Sequence, residues 1–374
     1  MVRILFFTSP IGLGHASRDV AIVNELVSAG IEMDEIVFVT GGVASQHIRD
    51  HGYNVVDAYR GKSINASNGI FSNRLLWLLD YISFYRECKE IASSLIDKYR
   101  PELIVSDEDF ASITVGRLRG IKNVLITDVL ESRFLHGPSS LVERFLNRYL
   151  SDIITRADMV ILPMYKDEHK HVHTSVGSNT IITYVGPIVR RVSKDRDELR
   201  RVFGFHNYKT ILVSVGGTSS GMFLIEKAID SYMKVVDRFN IPTKMVIVCG
   251  PAIDIRRIGS NHGYNNDRGV MHSIELYGYV KNLHEMIYAA DLLISLAGRS
   301  SMDEARVYGT PAIFIPIDEH FEQEDNAKNH GFFHDDVDRL GDLMLEYLAY
   351  GRREARCSNG AAKAADIIIK YLTQ

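Results

Sequence analysis

The sequence predicts an α/β protein built as two doubly wound parallel-sheet units. Three observations point there. Short continuous apolar runs alternate with helix-length segments along the chain, the pattern of parallel strands covered on both faces. A strand, a glycine-rich turn and a helix open each half. The 374 residues exceed what one small core organises.

In the first half, the apolar run Ile4–Thr8 predicts a strand, Gly12–His15 a turn and Val20–Leu26 a helix. Ile36–Thr40 predicts the next strand, stopped by Gly41-Gly42. Leu103–Ser106, Val124–Thr127, Met159–Pro163 and Ile181–Val185 follow as strands. The pattern then restarts. Thr210–Val215 reads as a strand, Gly216–Gly221 as a glycine-rich turn and Phe223–Val236 as a helix. Strands are expected at Lys244–Cys249, Leu292–Ser295 and Ala312–Ile315, and a last helix at Gly360–Leu372. The expected domains are 1–188, joined by a returning C-terminal helix in 355–374, and 189–354.

Composition excludes several classes. Hydrophobic residues at 46% and charged residues at 24% describe an ordinary globular mixture. A net charge of −4 lacks the basic face that nucleic acid requires. Cys88, Cys249 and Cys357 are odd in number and far apart, so they suggest neither a disulfide framework nor a zinc site. No apolar run reaches spanning length, and Met1–Phe7 is too short for a signal segment. A cytoplasmic location is expected.

The most informative stretch runs from Gly298 to Ala327. Gly298 follows an apolar strand, where backbone can approach a ligand closely. Ser300 and Ser301 place hydroxyls at a helix start, suited to phosphate oxygens. Glu304 lies about one and a half turns further along. Glu322 and Gln323, with Asn326-Ala327, offer partners for sugar hydroxyls. Phosphate, ribose and sugar in that order describe a nucleotide-sugar site.

The first glycine loop leaves three readings open. Gly12-x-Gly14-x-x-Ser17 approaches the dinucleotide fingerprint, yet the second strand ends Val39-Thr40-Gly41-Gly42 without the ribose-binding acid. The glycines can serve packing alone. His15, at the carboxyl end of the first strand, can also take a proton from an acceptor hydroxyl.

Together these motifs resemble the glycosyltransferases of the two-Rossmann-domain (GT-B) type. The branch most similar contains the bacterial peptidoglycan N-acetylglucosaminyltransferase and the diacylglycerol galactosyl- and glucosyltransferases. The resemblance rests on Gly14-His15, Gly186 to Arg190, Gly216-Gly217, Gly278-Tyr279-Val280, Ala290-Asp291 and the Gly298–Ala327 stretch. It implies that Glu304 binds ribose and that Val280 offers backbone groups to the base, uracil fitting best. It implies that Gly14, Gly216, Gly217, Thr218, Gly298, Ser300 and Ser301 surround the diphosphate, and that Arg190 contacts phosphate. Leu296 departs from the pattern, because many relatives carry a histidine or arginine there. Arg299 is then the substitute cation.

The resemblance further implies metal-independent, inverting transfer of a hexose or N-acetylhexosamine from a UDP-sugar, with no cofactor. His15 is the expected base, and Asp107 is a second base or the residue orienting His15. Asp107-Glu108-Asp109 has the letters of a metal motif but follows a first-half strand. The acceptor is a hydroxyl, on a lipid or lipid-linked molecule in related enzymes. The apolar 70–86 segment, with Arg74, Trp77 and Arg86, reads first as core packing, because its apolar residues run nearly all round the helix, and membrane contact is the alternative for it. A UDP-sugar 2-epimerase of the same fold and a non-catalytic nucleotide-sugar-binding subunit remain as other functions.

Overall fold

The computed structural model describes residues 1–60, 66–67, 70–71, 74–133, 140–169, 180–256, 258, 272–352, 354–355 and 357–373. For 66–67, 70–71, 74–75, 77, 168–169 and 272 the description is of backbone only. The chain divides into two compact units. The first holds 1–63, 73–190 and 358–374, and the second holds 64–72 and 191–357.

The first unit is a seven-stranded parallel sheet. Its strands are β1 (Ile4–Thr8), β2 (Ile36–Thr40), β3 (Val55–Asp57), β6 (Leu103–Asp107), β7 (Lys122–Ile126), β8 (Met159–Leu162) and β9 (Ile181–Tyr184). They lie in the order β3-β2-β1-β6-β7-β8-β9. Between β3 and β6 in sequence, β4 (Ala66–Ser67) and β5 (Ile70–Phe71) pair as a small antiparallel hairpin grouped with the second unit.

Helices cover both faces because the strands are apolar on both faces. Ile4 and Phe6 join one core cluster, while Leu5 and Phe7 join another. The first face carries α1 (Gly14–Ser28) and α2 (Gly42–Asp50). The opposite face carries α3 (Arg74–Tyr99), α4 (Phe110–Leu118) and α5 (Ser140–Ile154). Helix α1 starts earlier than the apolar pattern suggests, since Gly14–Asp19 adds polar residues whose partners come from the sheet.

The second unit is a five-stranded parallel sheet. Its strands are β10 (Lys209–Ser214), β11 (Thr243–Val248), β12 (His272–Tyr277), β13 (Leu292–Leu296) and β14 (Ala312–Ile315). Their order is β12-β11-β10-β13-β14. Helices α6 (Arg196–Val202), α7 (Met222–Val235), α8 (Leu283–Ala289), α9 (Arg299–Tyr308), α10 (Phe321–Lys328) and α11 (Leu340–Tyr350) complete it. Strands β3 and β12 are additions to the sequence expectation. Both lie at sheet edges, where one flank is unpaired and a long apolar run is not required.

The last helix, α12 (Ala361–Thr373), belongs to the first unit. Its buried residues Ala361, Ala364, Ala365, Ile368 and Leu372 follow helical spacing and join the cluster of Ala16, Val20 and Val23 on α1. Alanines at this seam let the two helix backbones approach closely.

In each sheet the first strand separates strands added to its left from strands added to its right. The crevice at that reversal opens at the carboxyl ends of β1 and β6 in one unit, and of β10 and β13 in the other. The second crevice is shaped by close backbone contact. Gly250 has a φ of +74°, and a Cβ there would lie 2.0 Å from the Gly216 carbonyl oxygen. Gly250→Ala is therefore expected to push the Gly216 loop away and to destabilise the fold by about 2 kcal/mol or more. Thermal denaturation checks this, and a melting temperature within a degree of wild type would contradict it.

Candidate functional site

In the first unit the loops after β1, β6 and β7 bring titratable side chains together. His15 stands in the first turn of α1, and Arg18 follows one turn later on the same face. Asp107 ends β6, with no exposed surface. His15 Nδ1 lies 3.0 Å from Asp107 Oδ1. Arg18 forks onto the same carboxylate, Nε at 2.8 Å and Nη2 at 2.5 Å, and its Nη1 reaches Asp128 Oδ2 at 2.9 Å. Arg18 Nη2 also stands 3.1 Å from His15 Nδ1. Glu108 faces the other imidazole nitrogen, with Oε2 3.6 Å from Nε2.

Glu108 has a φ of +53°, uncommon for a residue with a side chain. Its Oε1 accepts from the Thr127 hydroxyl and the Asp128 backbone N–H, both at 3.3 Å. Asp109 does different work. It caps α4 by accepting from Ser112 N at 2.9 Å, and it accepts the Tyr59 hydroxyl proton. The three acidic letters thus point to three separate sets of partners.

Charge follows from these contacts. Burial raises the Asp107 pKa, but Arg18 and then His15 overcome it and hold the carboxyl below the usual range. Burial opposes a charged imidazole, yet Asp107 and Glu108 outweigh it and His15 is pushed up to about 9. Burial, and then Asp128, push Glu108 well above its ordinary value. Burial, and then Asp107, do the same to Asp19, whose carboxylate accepts from the Thr8 hydroxyl at 2.6 Å. With Asp107 accepting from Nδ1–H, the Nε2 lone pair of neutral His15 is free to take a proton.

Beside Glu108 lies a narrow cavity with about 20 Å3 open to a water-sized sphere. Its walls include Tyr59, Tyr81, Phe84, Tyr85 and Phe110, with Ser9 and Pro10 from the loop after β1. The 70–86 segment divides between roles. Leu78 is buried, and Phe84 and Tyr85 pack on the core, whereas Leu76 and Leu79 are exposed. The side chains of Arg74, Leu75 and Trp77 lie outside the described residues. A second apolar surface was not anticipated. Helix α5 exposes Leu141, Val142, Phe145 and Tyr149 among Arg144 and Arg148; of its two acids, Glu143 is buried against the Ser132 hydroxyl and Asp152 pairs with Arg156.

In the second unit the loops after β10 and β13 flank the crevice. Gly216 and Gly217 follow β10, and Thr218 precedes a short turn into α7. Gly298 is the N-cap of α9, with no side chain capping that end. Ser300 and Ser301 lie in its first turn, so backbone N–H groups and hydroxyls share one helix start. Helix α9 ends at Gly309, whose φ of +70° gives the left-handed cap before Thr310-Pro311.

Glu304 is buried on α9, so it is not a solvated helix residue. Arg299 lies 3.2 Å from Asp303, which Arg306 also approaches at 3.8 Å. Its guanidinium is thus shared with a buried acid, which qualifies its expected role as the substitute phosphate cation. Leu296 ends β13 and is buried opposite Ile315, as packing rather than as a ligand. Val280 follows Gly278 beyond β12.

Helix α10 carries Glu322, Gln323 and Asn326. Gln323 Oε1 accepts from Ile317 N at 3.1 Å, and Asn326 Nδ2 donates to Ala297 O at 3.3 Å, which ties α10 to the loops after β14 and β13. Gly14 and Arg190 belong to the first unit, unlike the other expected donor residues. Arg190 is buried, and Asn359 secures its neighbour Val189 through both the backbone N–H and the carbonyl. Among the described residues no cluster suits a metal ion.

Sequence reasoning did not single out Arg18, Glu108, Asp128, Asp303 or His320 as functional. The signal for Arg18 was its spacing of three from His15, which puts both on one helix face.

The two crevices differ in make-up: one gathers titratable side chains around Asp107, and the other brings glycine turns, two hydroxyls at a helix start and the buried acid Glu304. Residues 210–332 match the glycosyltransferase family 28 C-terminal domain. This stretch gives the second unit a domain of glycosyltransferase family 28 type, and the two parallel-sheet units have the GT-B fold. An uncharacterized glycosyltransferase of Methanopyrus kandleri is 26% identical over 63% of this chain and 62% of its own, so the match spans under two thirds of that relative. The UDP-N-acetylglucosamine–N-acetylmuramyl-(pentapeptide) pyrophosphoryl-undecaprenol N-acetylglucosamine transferase of Clostridium botulinum is 21% identical over 96% of each chain. Among solved structures, the glycotransferase of kitacinnamycin covers all of both chains with a TM-score of 0.64 at 14% identity.

One buried group makes the donor-side loops sensitive to acid. His320 caps α10 by accepting from Gln323 N, and burial lowers its pKa to about 4. The unfolded chain binds this proton near 6.5, so the unfolded state takes up more protons between those values. Stability is expected to fall as pH drops from about 6.5 towards 4, and His320→Asn, which keeps a capping side chain, should flatten that slope. Denaturant melts at several pH values test it, and an unchanged slope would contradict the assignment.

Proposed function

We propose that this enzyme transfers a hexose or N-acetylhexosamine from a UDP-sugar to a hydroxyl acceptor, with inversion and without a metal. The observation that carries the reading is the pair of partly exposed His15 with fully buried Asp107 at the carboxyl end of the first sheet. His15 Nε2 takes the proton of the acceptor hydroxyl as its oxygen bonds to the anomeric carbon. The bond from that carbon to the diphosphate oxygen breaks, and the nucleoside diphosphate leaves with the electron pair. Asp107 holds Nδ1–H and stabilises the imidazolium that forms. The α9 N-terminus, Ser300, Ser301 and the Gly216–Thr218 backbone stabilise the leaving diphosphate electrostatically. Glu304 holds ribose, Val280 meets the base, and Glu322, Gln323 and Asn326 face the sugar. Gly14 and Arg190 are assigned to phosphate by family resemblance only.

The test separates binding from chemistry. His15→Ala is expected to keep UDP affinity within about twofold and to lower turnover at least about 100-fold, measured as UDP release with acceptor. Glu304→Ala should weaken UDP binding about tenfold or more. Because the His15 pKa is raised to about 9, kcat/KM should climb with pH through that region as the imidazole loses its proton. Full turnover by the His15 variant, or a flat profile from pH 7 to 10, would end the base assignment. Epimer formation from UDP-N-acetylglucosamine without acceptor would favour an epimerase instead.

The acceptor we assign is a lipid or lipid-linked hydroxyl, and the enzyme acts at a membrane surface. Support comes from the exposed apolar and basic face of α5, and from the undecaprenol-linked acceptor in the Clostridium relative's name. No described helix is long and apolar enough to cross a membrane. In flotation at low salt, the protein should bind vesicles containing anionic lipid, and Phe145→Ser with Leu141→Ser should reduce bound protein several-fold. Equal flotation of the double variant would remove α5 from the membrane contact.

A further inference from the structure

Four carboxyl groups and one guanidinium share the buried cluster around His15. Asp19 and Arg18 come from α1, Asp107 and Glu108 from the end of β6, and Asp128 from the loop after β7. Arg18 is the group that ties these elements together. Its fork occupies both oxygens of Asp107, and its third nitrogen bonds Asp128. The Asp107 oxygen taken by Arg18 Nη2 is also the one that meets His15 Nδ1. Asp107 is therefore divided between a permanent cation and the imidazole.

We propose that Arg18 is a positioning residue of the transfer reaction: its fork orients Asp107 toward His15 Nδ1, and its charge limits how tightly the imidazole holds a proton. The inference rests on the reading of His15 as the base. A planar guanidinium fits a carboxylate at two points, and a lysine ammonium cannot reproduce that geometry. Without the fork, Asp107 is free to rotate, and His15 loses the bond that fixes its proton on Nδ1. Without the charge, Asp107 and Glu108 face the imidazole with no cation to offset them. His15 would then hold its proton to still higher pH, in the direction that Arg18 opposes in the intact cluster.

Two variants separate charge from geometry. Arg18→Gln removes the charge and keeps a hydrogen-bond donor, whereas Arg18→Lys keeps the charge and loses the fork. Histidine-labelled full-length protein is titrated by NMR, and the His15 signal is assigned by its absence in His15→Gln. The His15 midpoint is expected to rise by about one pH unit in Arg18→Gln and to stay near wild type in Arg18→Lys. The rising limb of the pH–kcat/KM profile should move with it. A purely structural role would lower the rate at every pH without moving the limb. In Arg18→Lys the neutral imidazole should become a mixture of tautomers, against a single Nδ1–H form in wild type.

A midpoint unchanged or lowered in Arg18→Gln overturns the proposal. So does an intact Nδ1–H tautomer in Arg18→Lys, which decides the matter if the glutamine variant does not fold. The titration needs no donor or acceptor. Expected shifts without turnover on any sugar nucleotide would therefore overturn the transfer reading and leave Arg18 only its hold on His15, and turnover with unmoved shifts would overturn this proposal alone.

Discussion

The ionised carboxylate of Asp107, sealed from water at the end of β6, is the constraint around which the first unit is arranged. An ionised carboxylate without solvent persists only where cations and donors replace its hydration. Arg18 supplies two hydrogen bonds to Asp107 and a third to Asp128, and His15 and Asp19 meet the same Asp107 carboxylate. All three come from the first two turns of α1, so the start of that helix is fixed by electrostatics as much as by its apolar face. The C-terminal helix α12 then presses on the same helix through small side chains. Packing on one side of α1 and charge on the other hold its register, and with it the imidazole.

The same topology yields different chemistry in the two units. Each sheet reverses its winding beside its first strand, and loops diverge there to leave a crevice. In the first unit that crevice gathers titratable groups, His15, Asp107 and Glu108, around one arginine. In the second it is edged by glycine, threonine and serine, with the open N-terminus of α9. Helix termini bind anions through fixed dipoles that titrate at no ordinary pH. The Gly250–Gly216 approach shows how tightly that backbone is set, because there is no room for even a methyl group.

What the sequence disclosed follows from which interactions are local. His15 and Asp107 were legible because each sits just past an apolar strand, where α/β ligand sites lie. The strand pattern was legible wherever both faces are buried. Strands β3 and β12 were not, since an edge strand such as His272–Tyr277 alternates with polar residues and lacks a continuous apolar run. Arg18 and Asp128 looked like ordinary charges, and only the adjacency of β1, β6 and β7 makes them partners across 110 positions of sequence. Arg299 was readable as a free cation until folding placed Asp303 beside it one turn later. The apolar face of α5 was hidden for a similar reason: amphipathic spacing predicts a buried stripe, whereas here much of that stripe faces solvent.

A base with a raised pKa carries two opposing consequences. It binds an abstracted proton more firmly, which favours transfer from a hydroxyl of much higher pKa, yet it is already protonated in a larger share of molecules at neutral pH. The balance is set by Asp107 and Glu108 pulling one way and by burial and Arg18 pulling the other. All these groups lie in the first unit, and none belongs to the elements that carry Glu304, the Gly216 turn or Glu322. Substitutions on α9 and α10 therefore leave the groups that set the charge on His15 in place, and substitutions around Asp107 leave the Gly216 turn and the start of α9 in place. The segregation of a titratable cluster from loops of glycine and hydroxyl residues, more than any single residue, is what this pair of sheets provides.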